Sequence, residues 1–275
     1  MHNSKPIFSI VIANYNHGEF FEKAILSILN QSCQDFELII IDGGSTDNSV
    51  NIIKKYEAKL AWWISEKDKG QSDAFNKGFG KAKGEFFFWL NADDVLLPDS
   101  LEKAIKVISK YDNIEWFAAN TIFFDVNGII TKCTNGPSWN NFLFKNAPIT
   151  IYGPTSIFSK KIFDKVGGFD ESLYYGMDTD LWLRFRSAGY KFKRIPAYFW
   201  GFRIHKDSKT SHSFSEKPSK SYSAERKRIL KKNKINYIKR KIFFQQIYKI
   251  FSGLYLKSLI DTHKYKGNFI KNINI

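Results

Sequence analysis

The chain alternates between short apolar runs and polar breaks, and most of the fold can be predicted from that rhythm. Ile7 to Ala13 (IFSIVIA) and Phe36 to Ile41 (FELIII) predict two strands buried on both faces. Five apolar residues, Phe86 to Leu90, predict a third such strand, which stops abruptly at Asn91-Ala92-Asp93-Asp94. Further strands are expected at Trp62 to Ser65, Glu115 to Ile122, Gly128 to Cys133, after Gly153-Pro154-Thr155-Ser156, and at Tyr198 to Ile204. Between them, Phe20, Phe21, Ala24, Ile25, Ile28 and Leu29 recur at helical spacing. Further helices are expected near 48–59, from Ser72, over about 100–110, and through Asp178 to Phe185. Strand and helix alternating at this spacing predict an α/β fold with a Rossmann-like, mostly parallel mixed sheet flanked by helices. Ligands of such sheets gather beyond the C-terminal ends of the strands.

Polar residues stand at those ends. The first strand runs into Asn14-Tyr15-Asn16-His17-Gly18 and the second into Asp42-Gly43-Gly44-Ser45-Thr46-Asp47. Neither carries a GxGxxG or GxxxxGK[ST] phosphate loop, which disfavours a dinucleotide fold or a P-loop enzyme. Asp42 reads either as a turn aspartate capping the next helix or as an acceptor for a base or ribose. Lys77 reads either as the partner of Asp73 at i,i+4 or as a phosphate contact. Asp178 and Asp180 lie in a helix's first turn, where carboxylates ordinarily just favour the dipole. Placing Asp93 and Asp94 at the end of a buried strand costs stability unless something positive binds there. Carboxylate oxygens suit Mg2+ or Mn2+.

Composition changes the picture mainly through where the charge lies. The 275 residues carry a net charge of +15, yet residues 1–202 hold 23 basic and 23 acidic residues, and 203–275 hold 19 and 4. The basicity therefore belongs to the tail and says little about the chemistry of the first two hundred residues. An apolar content of 43%, with 26 Phe and 13 Tyr, permits a sizeable aromatic core. Two cysteines, Cys33 and Cys133, fit a reducing compartment better than a disulfide framework. No leader or membrane-spanning run is evident, nor any internal repeat, so a cytoplasmic location is expected.

Six stretches stand in an order that resembles the inverting family 2 glycosyltransferases of the GT-A fold, of the bacterial polysaccharide-biosynthesis type. They are SIVIANYN (9–16), ELIIIDGGSTDNS (37–49), SEKDKGQSDAFNKG (65–78), FFFWLNADD (86–94), VGGFDESL (166–173) and GMDTDLWLRF (176–185). FRIHKDSKTS (202–211) resembles the segment that closes the site in many members. The resemblance implies that Ala13, Asn14 and Tyr15 contact a nucleotide base, and that Asp42 accepts from uracil N3–H. It places Asp68, Gly70 and Lys77 in the donor-binding segment, and Asn91, Asp93 and Asp94 in the metal-binding motif. Asp178 would be the catalytic base, and His205 a further metal or diphosphate contact. Two positions depart from the family pattern: Asn91 opens the metal motif, and Met177 precedes the base where an acidic residue is common.

The implied activity is transfer of a sugar, with inversion, from a nucleotide-sugar donor to a glycan or lipid-linked hydroxyl in cell-surface polysaccharide synthesis. UDP is the favoured carrier and Mn2+ or Mg2+ the cofactor. The Asn/Pro-rich segment 135–151 is a candidate acceptor lining. A GT-A domain is expected over 1–212 and a basic amphipathic helical extension over 213–275. Glu225 to Lys241 is strongly basic, and Phe244, Ile247, Tyr248, Phe251, Leu254, Tyr255 and Leu259 fall at helical spacing. This tail reads either as a helix lying on an anionic membrane surface, which would place the protein peripherally on the inner face of the cell membrane, or as a helix packed back on the domain. A non-catalytic glycosyltransferase-like partner subunit is an alternative, motivated by Asn91 and Met177. A nucleic-acid-binding protein is disfavoured because the charge is confined to the tail and no zinc, helix-turn-helix or RNA-binding motif is present.

Overall fold

The computed structural model describes residues 5–140, 144, 151–206, 208, 219–235, 243, 247, 248 and 250–272. Strands β1 (Phe8–Asn14), β2 (Phe36–Asp42), β3 (Trp62–Ser65) and β4 (Phe86–Asn91) form a parallel group in the order β3-β2-β1-β4. Beyond β4 the sheet continues through β8 (Ser156–Ser159), β6 (Trp116–Asp125), β9 (Lys193–Ile204) and β5 (Val95–Leu96), with β7 (Ile130–Thr134) pairing β6. Antiparallel pairings at β4–β8, β8–β6, β6–β7 and β5–β9 make the sheet mixed, and β6–β9 is parallel. The helices are α1 (Gly18–Leu29), α2 (Ser49–Tyr56), α3 (Gln71–Lys81), α4 (Ser100–Ile108), α5 (Lys160–Val166), α6 (Met177–Ser187), α7 (Lys220–Lys232) and α8 (Leu254–Tyr265).

Continuous apolar runs form this sheet because both of its faces are covered, so the alternation of side chains sorts each run between two cores. Val11, Ile39, Ile41, Phe87 and Trp89 face α3 and α6, meeting Phe75, Phe79, Leu181 and Trp182. Ile10, Ile12, Leu38, Ile40, Phe86, Phe88 and Leu90 face α1, α2 and α4. Aromatic contacts knit the first core, with Phe79 stacked on Phe87 and Trp182 lying between Trp89 and Trp116. Gly78 lets α3 lie close on the sheet: a Cβ there would come 2.4 Å from a Val11 methyl.

Two elements differ from the sequence expectation. The two-residue β5 was not expected, because its strand character comes only from its pairing with Trp200 and Gly201 of β9. β9 also begins earlier than predicted, at Lys193, since the parallel partner β6 extends the ladder past Pro196.

The described parts of the C-terminal extension are fastened to the rest of the chain. Ile229 and Leu230 of α7 are buried in the first core. Ser258 and Thr262 of α8 accept the N–H groups of Asn135 and Cys133, each at 2.9 Å. Asp261 accepts from the Tyr198 hydroxyl at 2.5 Å and from the Asn135 amide at 3.1 Å. α8 therefore docks through its polar side, while Tyr255, Leu256, Leu259 and Ile260 face outward, each at least half exposed. Phe244 and the basic run 236–241 lie outside the described residues, as do most of 141–150 and 209–218. Among the described residues, no helix is long and apolar enough to cross a membrane.

Candidate active site

Parallel register brings the ends of three strands to one level: Asn14 pairs with Asp42 across β1–β2, and Ala13 with Asn91 across β1–β4. The turns beyond them are laced together. Asn16 takes a left-handed backbone (φ 56°), which asparagine tolerates, and its side chain accepts the Thr46 N–H at 2.8 Å. The Asn16 N–H donates to Ser45 Oγ and the Gly18 N–H to Asp47 Oδ2, both at 2.8 Å. His17, between them, is thereby held on the edge.

Asp42 is fully buried and accepts four hydrogen bonds from within the protein. The donors are Asn14 Nδ2 (2.7 Å), the Ser45 hydroxyl (2.6 Å), the Ser45 N–H (2.9 Å) and the Ser65 hydroxyl (2.6 Å). Burial pushes its carboxyl up, but the bonds from Ser45, Ser65 and Asn14 outweigh it and hold the group below the usual carboxylate range. Two oxygens have about four acceptor positions, so Asp42 is saturated here. Asp42 does not cap the next helix; the Ser49 N–H that opens it donates to Asp47 Oδ1 at 3.0 Å. Tyr15 is largely exposed beside this pocket, Ala13 is partly buried, and the Asn14 side-chain oxygen is a buried acceptor with no hydrogen-bond partner.

In the segment expected to bind the donor, Asp68 accepts from the Gly70 N–H at 2.8 Å, and its other oxygen lies where a side chain at Gly43 would stand, 2.7 Å from that Cβ position. Gly70 itself adopts φ +120°, a conformation that favours glycine, at the start of α3. Lys77 pairs with Glu66 at 2.9 Å and Asp73 at 3.2 Å; the Glu66 bond leads in raising its pKa. The expected i,i+4 pair with Asp73 is thus present, inside a three-residue network.

The adjacent carboxylates of the NADD motif face different ways. Asp94 is fully buried, accepting from the Arg203 N–H at 2.9 Å and Asn91 Nδ2 at 2.7 Å. Burial, then the charge of Asp93, drives its carboxyl well above the ordinary value. Asp93, only partly buried, turns the other way and meets His205 Nε2 at 2.9 Å. The turn between them is clamped by Arg203, whose Nε donates to the Asp93 carbonyl at 2.8 Å while its guanidinium lies between the Phe20 and Phe124 rings. His17, Asp93 and His205 each present a ligand atom within 4.8 Å of the other two. Two imidazoles and a carboxylate are an N/O donor set that fits a divalent cation, Mn2+ better than Mg2+, which favours all-oxygen ligation. Asp94, expected beside Asp93 as a metal ligand, has one hydrogen bond on each oxygen from within the protein, and the group on this edge that could hold a cation brings His17 to Asp93 and His205.

Asp178 reaches the same end of the sheet by another route. Gln71, which opens α3, donates to Asn91 at 3.0 Å; the neighbouring Ser72 hydroxyl contacts the Leu173 carbonyl at 3.3 Å and the buried Met177 sulfur at 3.4 Å. The first turn of α6 is thereby set beside the start of α3, with Asp178 as its second residue and half-buried. Its Oδ1 accepts from the Thr179 N–H at 2.6 Å. Asp180 serves the packing of α6 instead. Fully buried, it binds Arg184 Nε at 2.7 Å, Asn233 at 3.0 Å and Lys232 at 3.1 Å, tying α6 to α7.

Sequence reasoning passed over His17, which it treated as part of a turn. The available signal was its place at a strand's C-terminal end, on the edge that the parallel register makes common to Asp42 and Asn91.

Comparison with known proteins agrees with this architecture. The family model described as glycosyl transferase family 2 matches residues 9–167. An uncharacterised glycosyltransferase of Methanocaldococcus jannaschii is 31% identical over 210 residues, covering 73% of this chain and 71% of that protein. One from Rickettsia typhi is 31% identical over 191 residues, 66% of this chain and 58% of its own length. The chain thus spans somewhat over half to about seven-tenths of these relatives. The Escherichia coli chondroitin synthase is 28% identical over 203 residues, 73% of this chain but 29% of that protein. Among solved structures, the Pyrobaculum calidifontis mannosyltransferase in complex with GDP-Man and Mn2+ shares the fold with TM-score 0.59 at 16% identity, over 76% of this chain and 60% of that one. The Staphylococcus aureus protein TarS, residues 1–349 in complex with UDP-GlcNAc, does so with TM-score 0.56 at 20% identity, over 74% and 60%. Its strand-end acidic edge, its mixed sheet and these matches together identify the chain as a member of glycosyl transferase family 2.

Proposed function

We propose that the protein is a metal-dependent inverting glycosyltransferase that moves a sugar from a UDP-linked donor to a hydroxyl of a glycan or lipid-linked acceptor in cell-surface polysaccharide synthesis. The observation that carries this reading is the convergence of Asp93, His205 and His17 on the strand edge near the helix start that bears Asp178. Tyr15, with Ala13 and Asn14, would contact the base. Asp42 would accept its N3–H once a serine hydroxyl turns away from the carboxylate. Asp68, Gly70, Lys77 and Asn91 would line the sugar and diphosphate. His17, Asp93 and His205 would hold a divalent cation, which when bound supplies Lewis-acid neutralisation of the departing diphosphate. Asp178 takes the proton of the acceptor hydroxyl as that oxygen attacks the anomeric carbon. One displacement with one base inverts the anomeric centre.

A thermal-shift panel of UDP-GlcNAc, UDP-glucose, UDP-galactose and GDP-mannose with Mn2+ identifies the donor. With that donor, Asp178→Asn is expected to abolish acceptor-dependent release of nucleoside diphosphate and keep nucleotide binding; a variant that still turns over removes the base assignment. A β-glycoside from an α-linked donor, read by NMR, is the expected stereochemistry.

The outward face of α8 supports placement on an anionic membrane surface. Tyr255, Leu256, Leu259 and Ile260 form an apolar stripe, with Lys257, Lys264 and Lys266 nearby in the chain. Leu256→Glu/Leu259→Glu should abolish pelleting with phosphatidylserine liposomes, and equal pelleting by the variant would sink the placement.

A further inference from the structure

The geometry points to Glu225, on α7 and beyond the residues matched by the family model, as a positioning residue for the helix that bears Asp178. Its carboxylate accepts three successive backbone N–H groups: Tyr174 to Oε2 at 2.8 Å, and Tyr175 and Gly176 to Oε1, both at 2.7 Å. Those residues lead directly into Met177, where α6 begins, and Asp178 follows. Backbone donors converging on a carboxylate form charge-assisted bonds, stronger than neutral ones. A negative group at this end of α6 is also favoured by the helix dipole.

The rest of α7 packs on the same region through separate contacts. Ile229 and Leu230 are buried, and a side chain at Gly176 would come 2.5 Å from the Ile229 terminal methyl. Arg228 donates to the Ser172 carbonyl at 2.7 Å, while Lys232 pairs with Asp170 at 2.7 Å and Asp180 at 3.1 Å. The face of α6 toward the core is fixed independently by Leu181, Trp182 and Phe185. Ser72 holds the entering loop at Leu173, and the last three backbone N–H groups before the helix, from which Asp178 follows in the first turn, are held by Glu225. Glu225 fixes that entry. Its three bonds all fall on the segment entering α6, so its effect is expected on turnover rather than on donor binding.

This inference rests on Asp178 being the base, so the experiment measures both. In the full-length protein, with UDP-GlcNAc or GDP-mannose as the donor panel selects, kcat, donor KM and melting temperature are compared for Glu225→Ala, Glu225→Gln, Lys232→Met and Asp178→Asn. Glu225→Ala is expected to lower kcat about tenfold, because a small misplacement of a reacting group has effects of this order or larger, at an unchanged donor KM. Glu225→Gln retains one acceptor oxygen and should recover part of that loss. Lys232→Met removes two ion pairs of the same helix and should lower the melting temperature with kcat retained. Wild-type kcat in Glu225→Ala, or kcat losses in Glu225→Ala and Lys232→Met that simply follow their melting temperatures, would overturn the assignment. Should Glu225→Ala not fold, Glu225→Gln decides: a several-fold lower kcat at constant donor KM supports the role, and wild-type kcat rejects it. An active Asp178→Asn defeats the base reading itself, whereas inactive Asp178→Asn beside fully active Glu225 variants defeats only the present inference.

Discussion

The edge proposed for the donor and the loop that leads to the proposed base are built by opposite means. On the donor side, three parallel strands end in register, so Asn14, Asp42 and Asn91 become neighbours as soon as the ladder forms. On the base side, the loop entering α6 is held by Ser72, about a hundred residues earlier, and by Glu225, about fifty later. Strand register fixes the first group with backbone hydrogen bonds, whereas side chains from distant segments fix the second. Donor-side substitutions should therefore act on binding, and base-side substitutions on turnover.

The largest expected break in that contrast is at the cation cluster. Asp93→Ala should abolish Mn2+-dependent binding of nucleoside diphosphate in calorimetry, while the base-side variant Asp178→Asn leaves it intact. Comparable losses from both would erase the distinction. His17→Ala should weaken Mn2+ binding about tenfold or more, by analogy with the 10–100-fold effects of residues that merely support a metal ligand. Electron paramagnetic resonance of bound Mn2+ reads this without any turnover, and an unchanged affinity would return His17 to a structural role.

Asp94→Ala should act on stability instead. Removing a buried acceptor from the Arg203 N–H and the Asn91 amide leaves donors unpaired, at a cost of about 1–3 kcal/mol in denaturant unfolding. The smallest effect belongs to the joint between loop and tail. Burial pushes the Asp170 carboxyl up, but the bonds from Lys232 and Ser172 prevail and hold it well below the usual range. Its folded pKa being depressed, this contribution is full above the unfolded value of about 4 and is lost as pH falls toward the folded one. Lys232→Met should accordingly show a shallower acid destabilisation than the wild type below about pH 4.

Much of the donor side was legible in the sequence because it depends on local patterns. Runs such as Phe86 to Leu90 fill both faces of a covered sheet, and their polar stops mark the edge where ligands collect. Adjacent residues of one motif were harder: Asp93 and Asp94 look equivalent in a string, yet the backbone turn sends one to His205 and the other under Arg203. His17 acquires chemical meaning only once β9 returns beside β4's end. Glu225 was likewise read as part of a basic run, because nothing local shows that its carboxylate meets three backbone N–H groups. The outward stripe at Tyr255 and Leu259 was anticipated by spacing, but docking through Ser258, Asp261 and Thr262 was not, since amphipathic helices usually bury their apolar side.

That reversed mounting of α8 has a practical corollary for anyone handling the protein. A helix seated by hydroxyls and a carboxylate presents its greasy stripe to the buffer, so concentrated samples should self-associate and scatter light. A mild detergent should suppress that scattering, and shearing α8 away would trade the stickiness for a bared hairpin rim at Ile130 to Thr134.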